Sequence, residues 1–188
     1  MFNLKIINST TRPGRKGPVI AAWIAETAKK HPEFNIELLD LGEINLPMMD
    51  EPSHPRLQKY EHQHTKDWSA KINEADAFIM VTAEYNFAFP APLKNALDYL
   101  AHEWAYKPVG IVSYGGASGG TRSAQMLKQV LTTLKMVPLV ETVALPFYNQ
   151  FLTQDDQFNP NEITAKAAED MLNELVRWAE ALKPLRGK

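Results

Sequence analysis

Asn8-Ser9-Thr10-Thr11-Arg12-Pro13-Gly14-Arg15-Lys16-Gly17 sets hydroxyls, glycines and three cations directly before Pro18, where a helix is predicted to begin. Unpaired backbone N–H groups and the helix dipole favour an anion at such a place, and arginine adds planar, bidentate donors suited to phosphate. A solvated basic loop is the alternative reading of the same residues. A second stretch, Glu84-Tyr85-Asn86-Phe87-Ala88-Phe89, joins an acid and an amide to aromatic rings. Apolar rings at an exposed loop tip face a flat ligand or another subunit. A third, Ser113-Tyr114-Gly115-Gly116-Ala117-Ser118-Gly119-Gly120-Thr121, holds four glycines that permit positive φ and close backbone approach to a ligand.

Several chemistries are excluded by the same residues. A dinucleotide fingerprint needs G-x-G-x-x-G, and the first loop offers Gly14 and Gly17 alone; a Walker loop needs a lysine after its last glycine, and Gly120 is followed by Thr121 and Arg122. Gly116-Ala117-Ser118-Gly119-Gly120 satisfies the G-x-S-x-G of a hydrolase elbow, but that fold needs a histidine after the serine. His31, His54, His62, His64 and His102 all precede Ser118, which is read as a helix cap or loop hydroxyl. His62 and His64 invite a metal, but on a helix that spacing points the two rings apart, so a solvated polar face is expected. The absence of cysteine removes disulfides, thiolate metal sites and thiol catalysis, so redox chemistry would need a borrowed cofactor. A net charge of −2 makes nucleic acid an unexpected partner. The apolar runs are too short to span a membrane and no signal-peptide pattern opens the sequence, so a cytoplasmic location is expected.

The elements that would position these loops follow from the apolar patterning. Strands are predicted over Phe2 to Ile7, Phe34 to Leu39, the unbroken run ending at Val81, Pro108 to Ser113, and Leu139 to Leu145. The second alternates most and is placed near an edge. Helices are expected from Gly17-Pro18, with Ile20, Trp23, Ile24, Thr27 and Ala28 buried; over Arg56 to Asn73; and after Pro90, on Leu93, Ala96, Leu97, Leu100 and Ala101. Two more follow, on Ala124, Leu127, Leu131 and Leu134, and on Ile163, Ala167, Met171, Leu175, Trp178, Ala179 and Leu182. Asn159 reads as the cap of the last, with Pro160 at its first position and Glu162 at its third. Leu41 to Pro55, interrupted by prolines, is read as irregular and as a site wall or subunit contact. Strands alternating with helices over 188 residues imply one α/β domain spanning the chain, a doubly wound five-stranded parallel sheet with helices on both faces. In the order 2-1-3-4-5 the three loops, after strands one, three and four, adjoin at the switch point.

Ser9-Thr10-Thr11-Arg12-Pro13-Gly14-Arg15, Glu84-Tyr85-Asn86 with Pro92 to Asp98, and Lys107-Pro108-Val109 through Ser113-Tyr114-Gly115-Gly116 resemble the three signatures of the NAD(P)H-dependent FMN reductase family. That family is flavodoxin-like, a three-layer sandwich, and includes quinone, azo-dye and chromate reductases. The resemblance implies bound FMN with NAD(P)H as co-substrate, a quinone or similar small-molecule acceptor, ping-pong turnover, and a homodimer or homotetramer. Ser9, Thr10, Arg12, Arg15 and Gly17 would then belong to the phosphate site. Glu84, Tyr85, Asn86 and Phe87 would border the isoalloxazine ring, and Ser113, Tyr114, Gly115 and Gly116 its pyrimidine end. The N–H groups of Gly115 and Gly116 would stabilise charge on the reduced ring. Three positions depart from the family pattern: Ser9 stands where glycine is usual, Ala83 where proline is common, and Phe87-Ala88-Phe89 is bulkier than usual. A flavodoxin-type electron carrier docking to protein partners is the alternative; its members tend to be strongly acidic, which this chain is not.

Overall fold

The computed structural model describes residues 1–186. Five parallel strands, β1 (Phe2–Asn8), β2 (Phe34–Asp40), β3 (Ala77–Ala83), β4 (Pro108–Tyr114) and β5 (Val137–Leu145), lie in the order β2-β1-β3-β4-β5 predicted from sequence. The helices are α1 (Gly17–Ala28), α2 (Leu41–Ile44), α3 (Gln63–Asn73), α4 (Ala91–Asp98), α5 (Thr121–Thr133) and α6 (Glu162–Leu182). Every residue of β3 is buried, as its apolar run requires of a central strand, whereas β2 is partly exposed at the sheet edge. Alternate side chains of β3 feed two cores. Ala77, Ile79, Val81 and Ala83 pack under α1 and α6, while Phe78 and Met80 pack under α3, α4 and α5. A one-residue slip would exchange these faces, with each apolar side chain worth roughly 2 kcal/mol in burial, so the register is strongly fixed. That register ends β1, β3 and β4 on one rim, and the three chemical loops leave from it.

Several local expectations are corrected. The segment after β2 is not wholly irregular, because Asp40 accepts the Gly42 N–H at 2.8 Å and caps the single turn of α2. The helix expected over Arg56 to Asn73 begins only at Gln63. Gln58 holds a left-handed φ of 50°, and the Glu51 carboxylate takes the N–H groups of Glu61 and His62 at 2.8 and 3.0 Å. His62 is therefore the cap and lies outside the helix, and its ring stacks on His64, 5.2 Å between centroids, instead of pointing away. Both bond Asp50, His64 to its carboxylate at 2.9 Å and His62 to its carbonyl at 3.2 Å. Among the described residues no group of three His, Asp or Glu side chains is arranged to hold a metal ion.

The last helix is capped by Asn161, whose side chain accepts the Thr164 N–H at 2.8 Å, not by Asn159. Its buried face is Thr164, Ala168, Met171, Leu172, Leu175, Ala179 and Leu182; Ile163 and Trp178, expected inside, are 81% and 40% exposed. Helix α4 stops at Asp98, although Leu100 beyond it still lands in the same core. Among the described residues no helix is long and apolar enough to cross a membrane.

Candidate functional site

The first loop leaves β1 at Asn8 and runs into α1, whose N-terminus has no side-chain cap. Ser9 and Thr10 are wholly buried. Thr10 Oγ1 donates to Asn8 Oδ1 at 3.2 Å and accepts the Tyr114 hydroxyl at 3.4 Å, whereas Ser9 Oγ has no partner among the described residues. Gly17 is buried so closely against Asn8 and Thr10 that a Cβ there would overlap both side chains. The three cations differ. Arg15 donates through Nη1 to the Thr10 carbonyl and to Asp40 Oδ1, the latter at 2.6 Å, and Lys16 pairs with Asp156 at 2.7 Å. Arg12 is exposed and, among the described residues, carries no ion pair.

The second loop opens with a tight reverse turn. Tyr85 and Ala88 exchange N–H···O=C bonds of 2.9 and 3.0 Å, with Asn86 and Phe87 between them at φ 51° and 69°. Two positive φ values at the centre of a two-residue turn are the type I′ pattern, which suits asparagine but is costly for phenylalanine. Tyr85 is 40% and Phe87 60% exposed, while Phe89, expected beside it at the tip, folds back against the α3–α5 core. The Arg122 guanidinium lies 4.0 Å from the centre of the Phe87 ring. Arg122 Nε also meets Glu84 Oε1 at 2.7 Å, and Glu84 Oε2 accepts the Ser118 hydroxyl at 2.9 Å and the Arg122 N–H at 3.2 Å. Burial pushes the Glu84 carboxyl up, but the Ser118 and Arg122 donors outweigh it and hold the group below the usual range. Glu84 is thus a fixed anion that joins the second loop to the third.

In the third loop, positive φ falls on Gly119 (61°) and Gly120 (79°) and not on Gly115 or Gly116. A Cβ on Gly120 would sit 2.6 Å from the Tyr114 nitrogen, so the turn into α5 needs glycine there. Ser113 is buried and donates to the Gly119 carbonyl at 2.9 Å, bracing the loop from below. The Gly115 N–H already donates to Leu145 at 3.3 Å, whereas the Gly116 N–H has no acceptor among the described residues. Tyr114 is 5% exposed and burial pushes its hydroxyl up to about 12, so it stays a neutral donor to Thr10 across the cleft.

Arg12, Arg15, Lys16, Ala83, Glu84, Tyr85, Tyr114 and Gly115 line one notch of about 60 Å³, so the rim brings parts of all three loops together. Ser9, Thr10 and Gly17 sit beneath the first loop, Asn86 and Phe87 project from the second, and Ser113 and Gly116 flank the third. Tyr148, from the segment after β5, completes the notch and meets the Tyr114 ring edge-on at 5.2 Å. It was missed, as were Asp40 and Arg122. Asp40 carried a signal, being an acid at the C-terminal end of the strand beside β1. A larger cleft of about 660 Å³ lies at the C-terminal ends of α4 and α5, walled by Met49, His54, Arg56 and Lys135, and contains none of the candidate residues.

Comparison with known proteins identifies the family. The model of the NADPH-dependent FMN reductase family matches residues 2–150. An NAD(P)H-dependent FMN reductase of Schizosaccharomyces pombe is 45% identical over 145 residues, covering 75% of this chain and 72% of that protein. An NADPH:quinone oxidoreductase of Arabidopsis thaliana is 36% identical over 118 residues, covering 60% and 57%. The solved structure of a flavoenzyme NAD(P)H:(acceptor) oxidoreductase from Paracoccus denitrificans shares the fold at a TM-score of 0.78 and 20% identity, covering 96% of this chain and 98% of that one. With the family match spanning most of the sequence and all three of its loops meeting on one rim, the chain belongs to the NADPH-dependent FMN reductase family of oxidoreductases.

Proposed function

We propose that residues 1–188 act as one FMN-binding domain that reduces a quinone or similar small acceptor at the expense of NAD(P)H. The observation that carries this is the first loop's fit to a phosphate. Among the described residues Ser9 Oγ is buried without a partner, Arg12 carries no ion pair, and no acceptor takes the N–H groups of Gly14, Lys16 and Gly17. Such a donor set at an uncapped helix N-terminus suits a phosphate dianion.

In this reading Ser9, Thr10, Arg12, Arg15 and Gly17 hold the phosphate. Glu84 to Phe87 flank the ring through backbone groups and through Tyr85, and the Tyr114 to Gly116 stretch closes the opposite side. Bound there, FMN would supply the hydride- and electron-transfer chemistry between a nicotinamide and the acceptor. The protein orients the two reactants and excludes water. The Gly116 N–H and the dipole of α5 provide electrostatic support near the ring. Glu84 is committed to Ser118 and Arg122 and serves as a brace, not as an acid. The exposed Phe87 and Met126, beside one another at the site's edge, support a homodimer or homotetramer whose contact runs close to the acceptor.

Nucleotide and acceptor would share one opening, so turnover should be ping-pong. Initial rates of NADPH oxidation across a matrix of quinone concentrations are expected to give parallel double-reciprocal lines. Intersecting lines would overturn the shared opening, and absence of turnover with a flavin-loaded protein would favour an electron carrier.

A further inference from the structure

Arg15, assigned to the phosphate site, is aimed by residues that lie outside the first loop. Asp40 ends β2 opposite Asn8 in the β1–β2 register, and its carboxylate is nearly buried. Three donors meet on it: Asn8 Nδ2 at 3.1 Å and the Gly42 N–H at 2.8 Å, with Arg15 Nη1 at 2.6 Å. Both hydrogens of Nη1 are spent, one on Asp40 and one on the Thr10 carbonyl. A guanidinium has five N–H donors, so the Nε–Nη2 edge keeps three with no partner among the described residues. That edge is the one that grips a carboxylate or phosphate side-on, and Arg15 already lines the notch beside Arg12. The floor under the guanidinium is Gly42. A Cβ built there would overlap Nη1 and lie within 2.7 and 2.8 Å of Cζ and Nη2, so the end of the arginine side chain would have to shift out of its seat.

We propose that Asp40 and Gly42 form a seat that holds one nitrogen of Arg15 and presents its remaining edge to the phosphate of the bound flavin nucleotide. Asp40 is a positioning residue, acting through Arg15; the inference rests on the FMN reading above. The obvious rival is masking, in which Asp40 occupies Arg15 and competes with the phosphate. The geometry favours positioning, because the contact consumes Nη1 alone and leaves the Nε–Nη2 edge open toward the notch. A free arginine would also lose side-chain entropy on binding, which a seated one has already given up.

The two mechanisms predict opposite signs, and the phosphate supplies the control. FMN and riboflavin share the ring and ribityl chain and differ only in the phosphate, so the ratio of their dissociation constants isolates the Arg15 contribution. Binding would be followed by quenching of flavin fluorescence in the natural protein and in Asp40→Ala, Asp40→Asn and Gly42→Ala variants. Gly42→Ala leaves the Asp40 charge in place and displaces only the guanidinium. It and Asp40→Ala are both expected to weaken FMN about 10- to 100-fold, the scale of one charge-assisted hydrogen bond, with riboflavin unchanged. Asp40→Asn keeps an acceptor for Nη1 and the Gly42 N–H, and is expected to stay within a few-fold of the natural protein. Tighter FMN binding in Asp40→Ala or Gly42→Ala would establish masking and overturn the seat. Equal loss of FMN and riboflavin in both would reduce Asp40 and Gly42 to general scaffolding and overturn it too. If the natural protein binds neither flavin, the FMN reading itself fails first, a result that no variant could mimic.

Discussion

Phe87 occupies a left-handed conformation that costs a residue with a Cβ about 1 to 2 kcal/mol, at a turn position where glycine is the usual choice. Its ring recovers part of that through Arg122, a contact worth about 0.5 to 1 kcal/mol when exposed. Phe87→Gly should therefore melt no more than a few degrees from the natural protein, although it deletes a whole aromatic side chain. Phe87→Ala keeps the strain and loses the ring, and should be the less stable of the two. Thermal melts in which alanine outranks glycine would show that the turn is unstrained. Glu84 belongs to the same cluster and carries a pH signature. Its folded carboxyl titrates below the ordinary value of 4.5, so its contribution to stability is complete above that value and is lost as pH falls through the lower, folded one. The stability gap between the natural protein and Glu84→Gln should be widest near neutrality and close under acid, and a gap constant from pH 7 to pH 3 would contradict the assignment. Neither pairing was legible beforehand. Glu84 stands on the second loop and Arg122 in the first turn of α5, and only the return of α5 against the end of β3 brings them within hydrogen-bond distance.

Among the elements, strands were easier to read than helix ends. An unbroken apolar run such as Phe78 to Val81 states its own burial, because no other setting conceals both faces of a strand. Helix ends depend on which polar group wins a backbone donor. Glu51 reaches across from the preceding loop to cap the start of α3, and nothing local to Arg56 through His62 announces that. At α6 two asparagines two residues apart both suit a cap, and the structure selects Asn161 through its bond to the Thr164 N–H. Asn161→Ala is expected to cost about 1 kcal/mol, or roughly 2 to 4 °C in Tm, while Asn159→Ala should leave Tm unchanged. Equal effects from the two would return the cap to the position read from sequence. The stripe of α6 was misplaced for a related reason: Ile163 and Trp178 are apolar but lie off the arc that faces the sheet, and Thr164 and Leu172 take the inner positions.

At the scale of the whole molecule, the strand order and the meeting of three loops were readable because a doubly wound parallel sheet has one switch point, and the sequence carried its chemical residues after the strands that flank it. The tertiary pairings that tune those loops, Arg15 with Asp40 and Arg122 with Glu84, were not, since each joins residues whose proximity exists only once the sheet has formed. The central claim is that this rim holds FMN. Titration of the flavin-free protein with FMN, followed by flavin fluorescence and by Tm, tests it most directly. The account predicts saturable, stoichiometric quenching, a Tm that rises with ligand, corresponding to about 2.7 kcal/mol at a hundredfold excess over Kd, and bleaching of the bound flavin on addition of NADPH. Fluorescence that rises in proportion to added FMN from the first addition, as it does in buffer alone, with an unchanged Tm, would contradict it.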